Sequence, residues 1–160
     1  MNMETTVTQR LEALGIDVPA LVAPLAAYVP AKTSGSLVYT SGQLPMVAGS
    51  LPATGKVGDD HGLVPAADAK DYARQCAINA IAAAGAAIGG IDKLTGVLKV
   101  TGFVAAEPSF TAIPGVINGA SELLGAVFGE AGAHARSAVG VAVLPLDSPV
   151  EVEVIFEFAG

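Results

Sequence analysis

Ser137-Ala138-Val139-Gly140-Val141-Ala142-Val143-Leu144, then Pro145-Leu146-Asp147-Ser148-Pro149, then Val150-Glu151-Val152-Glu153-Val154-Ile155-Phe156-Glu157-Phe158 is the stretch on which the reading of this chain turns. Both flanking runs are apolar and β-branched, and in the second Glu151, Glu153 and Glu157 share one alternating face, so both read as strands. The five-residue connection, bounded by prolines, predicts that the two strands form an antiparallel pair. Just upstream, in His134-Ala135-Arg136, sits one of only eight Lys and Arg residues in the chain. A guanidinium entering a sheet needs a partner, because an unpaired buried charge costs several kcal/mol. The natural partner is a carboxylate gripped by two parallel hydrogen bonds. Glu151 opens the next strand, so a cation and an acid are expected to meet across neighbouring strands, as a structural ion pair or as half of a catalytic site.

Composition narrows the classes. The chain has 160 residues, of which 52% are hydrophobic and 14% charged, so it carries ample apolar surface for one domain and little polar coating. That imbalance predicts a large apolar patch covered by a second subunit. A net charge of −7, with no Lys/Arg cluster, argues against a nucleic-acid partner. Cys76 is the single cysteine, which excludes an internal disulfide, and no Cys/His spacing suggests a metal. The start lacks a basic segment followed by an apolar one, and Ala77 to Ile91 is too weakly hydrophobic to span a bilayer. No membrane partner and a cytoplasmic location are therefore expected.

Working outward, a short helix is predicted at Val7 to Leu14, with Val7, Leu11 and Leu14 on one face and Gly15 as the stop. Residues 1–23 form a leader containing that helix, and 24–160 form the main domain. An extended segment marked by Pro19, Pro24 and Pro30 precedes a strand at Leu37 to Ser41. Pro45 to Pro65 reads as loop, with a short hairpin at Thr54-Gly55-Lys56. A long helix is predicted from Ala66 to Ala87, stopped by Gly89-Gly90. Its stripe of Tyr72, Cys76, Ala80 and Ala84 is small-sided enough for close approach to a sheet. Leu94 to Val104 reads as the next strand. After Pro114, the apolar rhythm through Ile117, Ala120, Leu124 and Phe128 predicts a second helix closed by Gly129. The order implies an α+β fold, a mixed sheet with two long helices on one face and an oligomer covering the other.

Leu37 to Pro45, Thr54 to Val57, Lys99 to Val104, Ala135 to Val139, Leu144-Pro145 and Val150 to Glu153 together resemble, in order and spacing, the YjgF/RidA family, over about Pro24 to the C-terminus. The resemblance implies a chorismate-mutase-like fold assembled as a homotrimer, with ligand sites in clefts between subunits. It also implies hydrolytic deamination of small reactive enamine or imine intermediates, such as 2-aminoacrylate, to keto acids and ammonia without a cofactor. On that resemblance Arg136 is the carboxylate-binding arginine, Glu151 the water-activating acid, Ser41 the serine of a Thr-Ser-Gly-Gln motif with Gly42 beside it, Tyr28 the N-terminal tyrosine of the cleft, and Asn118 the asparagine near the trimer seam. The chain departs from the family's pattern at His134, where proline is usual, at Ala138, where many members carry cysteine, and in a longer Gly58–Pro65 loop.

The residue types suit the chemistry without the name. A 2-imino acid offers a carboxylate for Arg136 to orient and an electrophilic carbon for a water activated by Glu151. Other readings stay open beside this one: an interface ion pair for Arg136, a solvated edge acid for Glu151, a turn residue for Ser41, interface packing for Tyr28, and small-molecule binding or a chaperone-like role without turnover for the whole chain. His61 and His134 read as surface histidines and Cys76 as core. An RNA-cleaving role, a label also attached to the family, fits the acidic chain least.

Overall fold

The computed structural model describes residues 4–20 and 27–160. The expected boundary between residues 23 and 24, and Pro24, lie outside the described residues. The elements are α1 (Val7–Ala13), β1 (Ala31–Ser34), β2 (Leu37–Thr40), α2 (Ala66–Ile88), β3 (Leu94–Ala105), α3 (Ile113–Phe128), β4 (Ala135–Val141) and β5 (Val150–Phe158). The sheet order is β1-β2-β5-β3-β4, antiparallel throughout except for the parallel pair β3–β4. This is the α+β mixed sheet with helices on one face that the pattern predicted.

The antiparallel pairing of β4 with β5 is corrected. β3 lies between them, pairing with β4 on one side and β5 on the other. The physical reason is competition for β5: β3, at 12 residues, offers a longer apolar ladder than β4, at seven. The connection through Pro145 to Pro149 therefore spans a strand instead of making a hairpin. The predicted hairpin at Thr54–Lys56 is also absent. Val57 instead bridges in parallel to Val64 and to Ala106, which ties the Gly58–Pro65 loop down at its root. β1 falls in the segment read only as extended, and it joins β2 through a turn at Gly35, whose φ of +58° favours glycine.

Alternation puts Val150, Val152, Val154 and Phe156 of β5 against the helices, all 1% exposed or less, with Glu151, Glu153 and Ile155 on the opposite face. Val100 and Val104 of β3 join the same core. Of the predicted small-sided stripe of α2, Tyr72 is only partly buried, whereas Cys76, Ala80 and Ala84 are fully buried and are joined by Ala69 and Ala73. Their short side chains let α2 lie close to the sheet and to α3. At Gly119 of α3 the two helix backbones nearly touch, and an added Cβ would run into the Lys70 carbonyl. Phe128 tilts against Phe156 with ring centroids 5.9 Å apart and closes the far end of the core.

α1 is set by a capping box between Thr6 and Gln9. Leu14 does not join Val7 and Leu11 in the core; it is the C-cap and 43% exposed. Gly15 at φ +71° reverses the chain, so that Ile16 N–H bonds the Leu11 carbonyl and Ile16 is buried in its place. The sheet face away from α2 and α3 carries exposed Tyr39, Leu98 and Val139, and no described element covers it.

Candidate functional site

The candidate residues fall into two clusters on different sides of the sheet. Arg136 is paired in register with Val100, and Val100 with Val154, so its side chain leaves the sheet on the helix side. Glu151 alternates with buried Val150 and Val152 and leaves on the open side. With β3 between them, their strands lie about 10 Å apart in the sheet plane, and the two residues are also offset along β3, Arg136 beside Val100 and Glu151 beside Phe103. The expectation that Arg136 and Glu151 meet across neighbouring strands of one chain is thus corrected. The parity of each strand, combined with the intervening β3, keeps them apart within one chain.

The first cluster lies where edge strand β4 meets α3. Arg136 Nη1 donates to Asn118 Oδ1 at 2.7 Å and to Ser121 Oγ at 3.2 Å. Those two bonds use both protons of Nη1, while Nε and Nη2 retain three N–H donors with no partner among the described residues. Both acceptors are neutral, and the one ion pair among the described residues is Lys70–Glu122, on the helix surface. The guanidinium is therefore held at one corner, it has no carboxylate partner among the described residues, and the donors of its remaining edge match the two oxygens of a carboxylate. His134 Nε2 lies 2.9 Å from Ser121 Oγ and Nδ1 lies 2.6 Å from the Gly132 carbonyl oxygen, which continues the network. Ser121 was missed in the sequence reading. Its signal was present as the i+3 neighbour of Asn118 on one helix face, but only a located Arg136 makes that face meaningful.

The second cluster gathers at the end of β2 on the open face. Gln43 exchanges both backbone hydrogen bonds with Val152, at 2.8 and 3.0 Å, so the chain after β2 runs alongside β5. This brings Gly42 against Glu151. A Cβ at Gly42 would stand 2.7 Å from Glu151 Cδ and 3.1 Å from its Cγ, so glycine is what lets the acid lie there. Ser41 Oγ donates to the Val29 carbonyl at 2.6 Å and its N–H donates to the Pro30 carbonyl at 2.8 Å. Ser41 thereby pins the segment that carries Tyr28, which is 55% exposed beside it. The serine acts here through position, with its proton already committed.

Burial, with a smaller contribution from the neighbouring charge of Glu153, raises the Glu151 carboxyl above its ordinary range. Cys76 lies beneath this strand; burial first, and the Glu151 charge second, hold its thiol well up, so it stays a protonated core residue. Among the described residues no group of three or more His, Cys, Asp or Glu could hold a metal ion. Nor is any described helix long and apolar enough to cross a membrane.

A mixed sheet with two helices on one face, an arginine at its edge and an acid on its open face has the architecture of a small chorismate-mutase-like domain. The chain belongs to the YjgF family: the family model described as "YjgF/chorismate_mutase-like, putative endoribonuclease" matches residues 8–158. It is 42% identical over 154 residues to Protein TCP17 of Trypanosoma cruzi, covering 94% of this chain and 93% of that one. Among solved structures, the protein Atu1372 of Agrobacterium tumefaciens is 44% identical, with a TM-score of 0.85 over 96% of this chain and 94% of its own. E. coli TdcF with bound serine is 29% identical, with a TM-score of 0.56 over 89% of this chain and 94% of its own.

Proposed function

We propose that the protein hydrolyses small reactive enamines and imines derived from amino acids to 2-keto acids and ammonia, in clefts shared between protomers of a homotrimer. The observation that carries this is Arg136. A half-buried guanidinium held by neutral oxygens, with Nε and Nη2 left over, is unfavourable unless an anion completes it. The separation of the two clusters supports a shared cleft. Repeating one head-to-tail contact around a ring would bring the β4 edge of one protomer onto the open face of the next, so that Arg136 of one chain joins Ser41, Gly42, Tyr28 and Glu151 of another.

In such a cleft the substrate carboxylate lies across Nε and Nη2 of Arg136, which fixes the C=N carbon. Glu151, its pKa raised by burial, accepts a proton from a water as the water oxygen bonds to that carbon, and the imine nitrogen takes a proton. The resulting carbinolamine then expels ammonia and forms the C=O bond. For 2-iminopropanoate the balance is substrate plus water giving pyruvate plus ammonia. The reaction draws on orientation and proton transfer alone, so it requires neither a metal nor an organic cofactor.

Mixing the purified protein with a dehydratase that releases 2-aminoacrylate should speed disappearance of the imine; Arg136→Ala should abolish the effect, and Glu151→Gln should lower turnover while leaving pyruvate binding in place. An unchanged rate with the wild type would remove the catalytic reading. Static light scattering should return three protomers, and a stable monomer would remove the shared cleft. Binding of a small metabolite without turnover is favoured by one observation, the serine bound by E. coli TdcF. The same assay separates the two. Cleavage of RNA, the activity in the family description, is disfavoured by the net charge of −7.

A further inference from the structure

His134 stands where the resemblance places proline, and a proline ring offers no nitrogen to a neighbour. Here the imidazole is tied at both ends. The Gly132 carbonyl can only accept, so Nδ1, 2.6 Å away, carries a proton. In the neutral ring Nε2 is then an acceptor, and the Ser121 hydroxyl 2.9 Å away must donate to it. With its proton spent, Ser121 Oγ turns its lone pairs toward Arg136, whose Nη1 donates to it at 3.2 Å. The chain of bonds thus has one direction, from Arg136 through Ser121 to His134.

We propose that His134 is a positioning residue for Arg136: by fixing the direction of the Ser121 hydroxyl it holds Nη1 against α3 and leaves Nε and Nη2 aimed outward for the ligand carboxylate. The inference rests on the reading of Arg136 as the carboxylate anchor. Asn118 alone gives the guanidinium one point of attachment, about which it can swing. Two acceptors on Nη1, one of them oriented from behind by an imidazole, restrict that rotation before any ligand arrives. Preorganisation of this kind lowers the ordering cost of binding.

The test uses pyruvate as the probe on the full-length protein, with binding followed by calorimetry and the side chains followed by ¹⁵N NMR. His134→Ala and Ser121→Ala should each weaken pyruvate binding about tenfold, the worth of one hydrogen bond to a charged group, and the double variant should lose little more than either single one. His134→Gln, whose Oε1 can accept from Ser121, should recover most of the loss. Long-range ¹H–¹⁵N correlations should show the Nδ1–H tautomer of His134. The Arg136 Nη signals should be separate in the wild type and should merge in His134→Ala as the guanidinium begins to rotate. Unchanged pyruvate binding in His134→Ala, losses that add in the double variant, or an Nε2–H tautomer would overturn the proposal. If Arg136→Ala still binds pyruvate, the anchor reading fails on its own, and the Arg136 Nη signals continue to report whether His134 restrains the side chain.

Discussion

Gly119→Ala would put a methyl group into the closest approach of the two long helices. That methyl would stand 2.9 Å from the Lys70 carbonyl carbon and 3.1 Å from Lys70 Cγ, and closer still to the carbonyl oxygen. A long side chain could swing away, but the α2 backbone cannot, so α2 and α3 must separate. A gap of about 1 Å forfeits a quarter to a half of the dispersion energy of each contact across it, and overpacking of this kind costs about 1–3 kcal/mol. Alanine returns about 0.5–1 kcal/mol of helix propensity over glycine, so the net loss should be on the order of 1 kcal/mol. For a chain of this length that lowers Tm by about 3 °C, read by circular dichroism at one fixed protein concentration, since any self-association would make Tm concentration-dependent. Gly125→Ala is the control. It lies on the same helix with nothing within 4 Å of the added Cβ, and it should raise stability by about 0.5–1 kcal/mol. A Gly119→Ala protein as stable as the Gly125→Ala protein would refute the close-packing argument. Because Asn118 and Ser121 flank position 119, the displaced helix should also loosen Arg136 and weaken carboxylate binding.

Two further outcomes are expected. Gly42→Ala should displace the Glu151 carboxylate, a flexible end, at small cost in stability; turnover should fall while pyruvate binding through Arg136 persists, and unchanged turnover would show that the acid has no part in the reaction. Glu151→Gln should be more stable than the wild type at neutral pH. A carboxyl whose folded pKa is raised takes up protons on folding, so its penalty is absent below the unfolded value, grows as pH rises from there to the folded one, and is fully present above it. Chemical denaturation of both proteins between pH 4 and 8 should show the gap open with pH, and a wild type more stable than the variant at neutrality would overturn the desolvation argument.

Much of this was legible along the chain, because alternation and helical rhythm are local properties. The small-sided stripe of α2, the stops at Gly89 and Gly129, the acids on alternate positions of β5 and the family itself all follow from residues near one another in sequence. What local pattern could not supply was which strand sits beside which. The prolines between β4 and β5 read as a hairpin because nothing nearby discloses that β3 claims the edge of each. Leu14 read as sharing a face with Val7 and Leu11 because the reversal at Gly15 that substitutes Ile16 depends on the cap.

The same division runs through the site. Sequence alone determined the chemical inventory, a guanidinium in an Ala-Arg-Ser step and an acid opening the last strand, since residue type is fixed by the chain. Only the tertiary structure decided that strand parity sends Arg136 to the helix side and Glu151 to the open side, and that Asn118, Ser121 and His134 converge behind the arginine. Parity is read only against the pairing of β3 with both neighbours, and pairing is a long-range choice settled by burial of the whole sheet.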